Sequence, residues 1–252
     1  DKTGLSVSRT DWNDTATMVW FYNAPTKKAG HEHRDNNSFS IFKNSPQINN
    51  SGYYWSYGNP HYVNYYMRTV AHNSICVYDS TDRYTNWGAN VSNDGGQNES
   101  PTLMNYNEIF SAAAQKGKWV LWGAGNDYCY NIADAEQSYD TAKLDRFRRR
   151  VLFYKPNQVI VLDHLHLKNT ATKQRDARFI LHFQKKPSIN GSITNSQVLN
   201  HIETFNGHDI LQTNGNGNVA IRTLLPVNAV TTRIGGSGYE FYVNGVNYPL
   251  GV

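Results

Sequence analysis

Charge is scarce in this chain. Only 17% of its 252 residues are charged, and Lys plus Arg exceed Asp plus Glu by just 24 to 20, so no surface built to grip nucleic acid or a membrane is implied. Cysteine is scarcer. Cys76 and Cys129 are the only two, which excludes a disulfide framework and leaves one bridge or two buried thiols open. No apolar run approaches the ~20 residues of a membrane-spanning helix, and no heptad or internal repeat implies a coiled coil or solenoid. The chain opens at Asp1-Lys2-Thr3-Gly4 with neither Met nor leader, as expected of a processed or excised segment, so its compartment must be inferred from what it does.

What is abundant is aromatic and turn-forming. Tyr (17), Phe (10) and Trp (6) accompany many Asn and Gly residues, a balance that favours aromatic-faced strands over amphipathic helices. Runs such as Met18–Tyr22, Ser38–Phe42, Ser74–Tyr78, Trp119–Trp122, Val159–Leu162, Phe179–Phe183, Val219–Leu224 and Tyr239–Val243 read as strands. Asn-Gly pairs at 190–191, 206–207, 214–215, 216–217 and 244–245 supply the positive-φ residues of tight hairpins. The expected fold is therefore all-β, a large antiparallel two-sheet sandwich occupying residues 1–252 as one domain, and only Asn107–Gln115 hints at a helical turn. The basic cluster Arg146-Phe147-Arg148-Arg149-Arg150 runs into apolar Val151–Tyr154, and reads as a strand edge with solvated arginines or as a rim for an anionic ligand.

Three segments carry chemistry. Gly30-His31-Glu32-His33-Arg34-Asp35-Asn36-Asn37-Ser38-Phe39 places two imidazoles and a carboxylate within five residues; in extended backbone, His31, His33 and Asp35 share a face. Its bland reading is a polar strand end with solvated histidines. Asn44–Pro60 is a polar loop whose Tyr53-Tyr54-Trp55-Ser56-Tyr57, flanked by Gly52 and Gly58, suits a sugar-stacking platform: aromatic faces cover pyranose C–H faces while hydroxyls hydrogen-bond. The same rings serve equally well as sandwich core. A second loop is read at Thr85–Pro101. In Arg68-Thr69-Val70-Ala71-His72-Asn73 an Arg, a His and an Asn precede an apolar strand. His164 and His166 repeat the His-x-His spacing inside an apolar frame and read as structural.

Taken together, His-x-His-x-Asp, Ser51-Gly52-Tyr53-Tyr54 and Arg-Thr-x-Ala-His-Asn, in this order, resemble the heparinase II/III-like domain of polysaccharide lyases. The resemblance begins at Gly4–Trp12 and continues through Arg149–Pro156, Val159–Leu165 and Phe179–Phe183. It implies β-elimination on uronic-acid polysaccharides of the heparin/heparan sulfate or alginate kind, by a bacterial periplasmic or secreted enzyme. It implies His31 as the catalytic histidine, either base or carboxylate-neutralising group, and His33 and His72 as ligands of a structural divalent cation, zinc by preference. Asn50, the third expected ligand, stands where the family commonly has an aspartate, and a carboxamide is a weaker ligand than a carboxylate, which leaves three readings open: Asp35 substitutes, the ion is absent, or a harder, oxygen-preferring cation replaces zinc. Tyr54, Tyr57, His61, Arg68 and Asn73 are the expected substrate contacts. In the family a catalytic tyrosine and an asparagine come from an N-terminal helical toroid, so an acidic polysaccharide and that toroid are the expected partners.

Two rival functions remain. A non-catalytic carbohydrate-binding sandwich would use the aromatic loop alone. A cupin-type metal enzyme would use His-x-His with an acid, although the expected Glu spacing is missing. Glycoside hydrolysis ranks last, since no paired carboxylates stand out among Asp11, Asp14, Asp35, Asp79 and Asp82.

Overall fold

The computed structural model describes residues 3–26, 31–79, 83–86, 89–92, 94–98 and 111–251. Strands β1 (Leu5–Arg9), β2 (Thr17–Tyr22), β3 (Ser38–Lys43) and β4 (Ser45–Ile48) form an antiparallel sheet in that order. After β5 (Ile75–Tyr78) and a hairpin of β6 (Arg83–Asn86) and β7 (Ala89–Ser92), a second sheet is made by β8 (Lys118–Ala124), β9 (Tyr128–Asp134), β10 (Leu144–Tyr154) and β11 (Gln158–Leu167). Strand β12 (Asp176–Phe179) pairs with β5. The C-terminal third contributes β13 (Ser188–Ile189), β14 (Ile193–Val198), β15 (Ile202–Phe205), β16 (Asp209–Asn214), β17 (Gly217–Arg222), β18 (Thr231–Ile234), β19 (Tyr242–Val243) and β20 (Val246–Asn247).

The two four-stranded sheets pack through alternate residues, as a period of two requires. Val19, Phe21, Phe39 and Ile48 from the first meet Ala133, Val151 and Phe153 from the second, and Trp119 sets its ring edge-on to Phe21 at 5.4 Å. A second core joins Ile75 and Val77 of β5 to Ala135, Tyr139, Leu144 and Phe147. Strand β10 serves both: Leu144 and Phe147 lie in one core, Val151 and Phe153 in the other. The architecture is thus an all-β sandwich.

Several expectations change here. Strand β10 is not an edge; it lies between β9 and β11. Of its arginines, Arg149 points inward and is wholly buried, while Arg148 is paired with Asp134 at 2.7 Å. The Phe179–Phe183 run continues as irregular chain after Phe179, and of Tyr239–Val243 only the last two residues are strand. The Asn44–Pro60 loop begins with β4, and Thr85–Pro101 takes in the end of β6 and all of β7; Gly88 and Pro101 lie outside the described residues, as do Gly30 and Asn107–Phe110. The helical hint near 107–115 is a 3-10 turn at Ala112–Ala114. Asn244-Gly245 closes the two-residue β19–β20 hairpin, with φ values of 43° and 99°, as a type I′ turn demands.

Candidate functional site

Three segments converge beside the first sheet: residues 31–37 ahead of β3, residues 49–67 after β4, and residues 68–74 ahead of β5. A single π-helical turn, Tyr62–Tyr66, precedes a 3-10 turn at Thr69–Ala71; π turns are uncommon and concentrate at functional sites. The sequence reading missed both, because a run dominated by aromatic and β-branched residues carries a strand signal that local packing overrides.

These segments bring His33, Asp35 and His72 together, their ligand atoms all within 4.8 Å of one another. His33 Nδ1 lies 3.2 Å from His72 Nε2. Two nitrogens bound to one tetrahedral ion at about 2.0–2.1 Å would sit about 3.3 Å apart, so the pair already has the spacing of a shared ion, and Asp35 supplies the negative charge. Two imidazoles and one carboxylate are a donor set that could hold a divalent ion such as zinc.

The cluster is fastened from behind. Arg149 forks onto Asp163 with two 2.7 Å bonds, and its remaining amino group donates to the Asn37 carbonyl at 2.5 Å and the Asn73 carbonyl at 2.8 Å. One guanidinium therefore ties the backbone that follows Asp35 to the backbone that follows His72. Around it, the Asn73 carboxamide donates to the Phe39 carbonyl and accepts from the His182 N–H. Asn36 accepts from the Ala24 N–H and donates to Ser138. Asn37 holds the left-handed region at φ 57°, where Asn is among the few residues tolerated.

His31, two residues before His33, goes elsewhere. It is exposed, with its ring 4.5 Å from that of Tyr57 and 6.2 Å from that of Tyr54. Tyr53, Tyr54, Trp55 and Tyr57 are exposed alongside it. Tyr62 links the two halves: its ring lies 5.5 Å from those of Tyr54 and Tyr57 and 6.2 Å from His33.

Residues 1–239 match the heparinase II/III-like C-terminal family. The chain belongs to that family. Among solved structures, heparinase III, the BT4657 gene product, aligns with a TM-score of 0.52 at 19% identity, covering 84% of this chain and 27% of that one. A mutant of the heparan sulfate lyase HepC from Pedobacter heparinus aligns with a TM-score of 0.52 at 16% identity, with the same coverage. At such identity these neighbours show the shared fold, and this chain spans about a quarter of their length. No curated protein sequence matches it.

Within this heparinase II/III-like domain the expected site residues separate into groups. His33 and His72 meet, and Asp35 joins them; Asn50 is exposed and shares a cleft with Asp35. Tyr54 and Tyr57 face solvent beside His31. Three expected substrate contacts are buried and hydrogen-bonded within the domain. His61 is buried, its Nδ1–H donating to the Tyr248 carbonyl at 2.6 Å and its Nε2 accepting from the Tyr53 N–H at 3.1 Å, so both ring nitrogens are engaged; burial lowers its pKa. Arg68 is buried against the Asn64 carbonyl and Asp94. Asn73 is buried with both ends of its amide engaged. Burial also pushes the Tyr62 hydroxyl up to about 12 and raises that of Tyr66, which makes neither ring a ready phenolate base.

Arg149 and Asp35 are what sequence reasoning undervalued. Counting in twos along β10 from Phe147 and Val151 puts Arg149 on their inward face, a signal that a buried partner awaits it.

Proposed function

We propose that this domain is one wall of a polysaccharide lyase that cleaves uronic-acid-containing polysaccharides, heparin/heparan sulfate-like or alginate-like, by β-elimination. The observation that carries this reading is the parting of His31 from His33. One imidazole joins an exposed aromatic rim, the other a carboxylate and a second histidine. In the elimination a base removes the proton from C5 of the uronate, the electron pair forms the C4–C5 double bond, the C4–O bond breaks, and the departing oxygen takes a proton. His31 acts as that base or neutralises the substrate carboxylate; histidine is the side chain most often used for such proton transfer. Tyr54 and Tyr57 stack on the sugar rings beside it.

His33, Asp35 and His72 hold a structural divalent cation, zinc by preference. Once bound, it fixes the segments that carry His31 and the aromatic rim without entering the elimination. The second wall, with a tyrosine and an asparagine, comes from an N-terminal helical toroid of the same protein. That accords with the chain spanning 27% of the lengths of its structural neighbours, which are named for heparin-type lyase chemistry. An extracellular or periplasmic location follows from a polymeric acidic substrate.

The test is made on the full-length protein with a panel of uronans, reading the ultraviolet absorbance of unsaturated uronate. His31→Ala is expected to abolish the signal while zinc content and thermal midpoint stay at wild-type values. Full activity in that variant overturns the assignment. Saccharide binding with no absorbance change from any uronan would instead establish the non-catalytic carbohydrate-binding reading, which the exposure of Tyr53, Tyr54, Trp55 and Tyr57 favours.

A further inference from the structure

A cleft of about 230 Å3 opens on the outer face of the first sheet, lined by Leu5, Trp20, Tyr22, Asp35, Ser38, Phe39, Ser40 and Asn50. Its shape comes from strand register. Trp20 lies opposite Ser40 and Tyr22 opposite Ser38 across the β2–β3 ladder, while Leu5 lies opposite Tyr22 on β1. Phe21, Val19 and Phe39 take the inward positions of these strands, so Trp20, Tyr22, Ser38 and Ser40 share the outward face. Cross-strand pairing of a large ring with a small hydroxyl leaves a trough with a serine floor and an aromatic wall. Asp35 and Asn50 close the other side.

We infer that this trough is a saccharide subsite that seats one pyranose unit against Trp20. Four observations agree. Trp20 is 44% exposed although it stands in the middle of a strand, which leaves an indole face for the apolar C–H face of a sugar. The floor and far wall offer hydroxyls, a carboxamide and a carboxylate, the groups that pair with sugar hydroxyls. The volume is below the roughly 300–1,000 Å3 of sites that enclose a drug-sized ligand, as expected for one ring of a chain that continues outside. Finally, Asp35 belongs to both this trough and the His33–His72 cluster, so a ring held here is adjacent to that cluster. The inference deepens the polysaccharide reading and rests on it for the class of ligand, not for any chemical step.

The experiment measures binding in full-length protein carrying His31→Ala, so that elimination and recognition are read apart. The probes are unsulfated, N-acetylated heparan tetrasaccharides and their N-sulfated counterparts, followed by calorimetry. A stacked aromatic is worth about 0.5–1.5 kcal/mol, or roughly a 2- to 13-fold change in affinity. Trp20→Ala is expected to weaken the N-acetylated probe by that factor, and Trp20→Phe, which keeps a ring, to weaken it less. Ser40→Leu fills the floor without removing any wall and is expected to weaken binding at least as much, which guards against a folding defect in Trp20→Ala. Wild-type affinity in both Trp20→Ala and Ser40→Leu overturns the subsite, even if the protein proves to be a lyase. Loss of binding in both, in a protein without lyase activity, upholds the subsite and defeats only the catalytic reading.

Discussion

His31 and His33 are separated by one residue, yet they live under opposite physical regimes. His33 is part of a cluster whose backbone is bolted to the sandwich by Arg149, Asn36, Asn37 and Asn73, all buried. His31 stands on a rim of exposed aromatics, where ring contacts hold the side chains and water surrounds them. The difference teaches a division of labour. The groups proposed to share an ion are attached to the core by hydrogen bonds that cannot be traded for water. Those proposed to meet a polymer are left at the surface, where they contribute little to folding.

The largest effect expected from this division is at Arg149. Arg149→Ala would leave Asp163 without its buried partner and release two carbonyls at once; breaking a buried pair costs about 3–5 kcal/mol. Denaturant unfolding should show that loss, and zinc affinity measured against a chelator should fall with it. Arg149→Lys keeps the charge but not the fork, and should lie between the two. Unchanged stability and zinc affinity in Arg149→Ala would dissolve the proposed contrast between bolted and free regions.

Acid should strike the bolted region next. Burial lowers the His182 pKa to about 4, against an ordinary 6.5, while its ring bonds the Val70 carbonyl and its backbone N–H bonds Asn73. Because protonation is easier in the unfolded chain, the contribution of neutral His182 is fully present above pH 6.5 and is lost as pH falls towards 4. The total is about 3 kcal/mol, since each pH unit separating the folded from the unfolded pKa is worth ~1.4 kcal/mol. His182→Gln should flatten the dependence of unfolding free energy on pH in this window; an unaltered slope would assign the acid sensitivity elsewhere. A smaller effect is expected at Asn37, whose φ of 57° costs an ordinary residue about 1–2 kcal/mol. Asn37→Gly and Asn37→Ala lose the same side-chain bonds, so thermal unfolding should find Ala the less stable by about that amount.

The two regions were not equally legible in the sequence. The β-sandwich could be read from alternation because strands β2, β10 and β11 alternate more and less buried residues over most of their length, and the Asn244-Gly245 hairpin from its turn chemistry alone. His33 and His72 could be paired by resemblance, whereas the bolts behind them could not. Nothing near Asn73 announces that Arg149, 76 residues away, will hold its carbonyl. The burial of His61, Arg68 and Asn73 was not legible, because polar residues beside a candidate loop carry no mark of it. Their partners, Tyr248, Asp94 and His182, are long-range, and hydrogen bonds between distant segments leave no local pattern. The aromatic rim was ambiguous for the converse reason: Tyr and Trp serve cores and surfaces alike.

The rim should therefore yield the smallest change in stability and a clear change in recognition. Trp55 is 61% exposed and Tyr57 47%, so Trp55→Ser and Tyr57→Ala are expected to alter unfolding free energy by less than about 0.5 kcal/mol. If the rim stacks on sugar, KM for polymeric uronan should rise by roughly 2- to 13-fold per ring removed, the equivalent of about 0.5–1.5 kcal/mol, while zinc affinity stays constant. Tyr57 also supports the His31 ring at 4.5 Å, so Tyr57→Ala should lower kcat as well, and Tyr57→Phe should restore it, since the ring and not the hydroxyl makes that contact. Trp55→Ser, with no such duty toward His31, should leave kcat where it is. A stability loss in Trp55→Ser as large as that in Asn37→Ala would show that the rim is core after all and that the division drawn between the two histidines is misplaced.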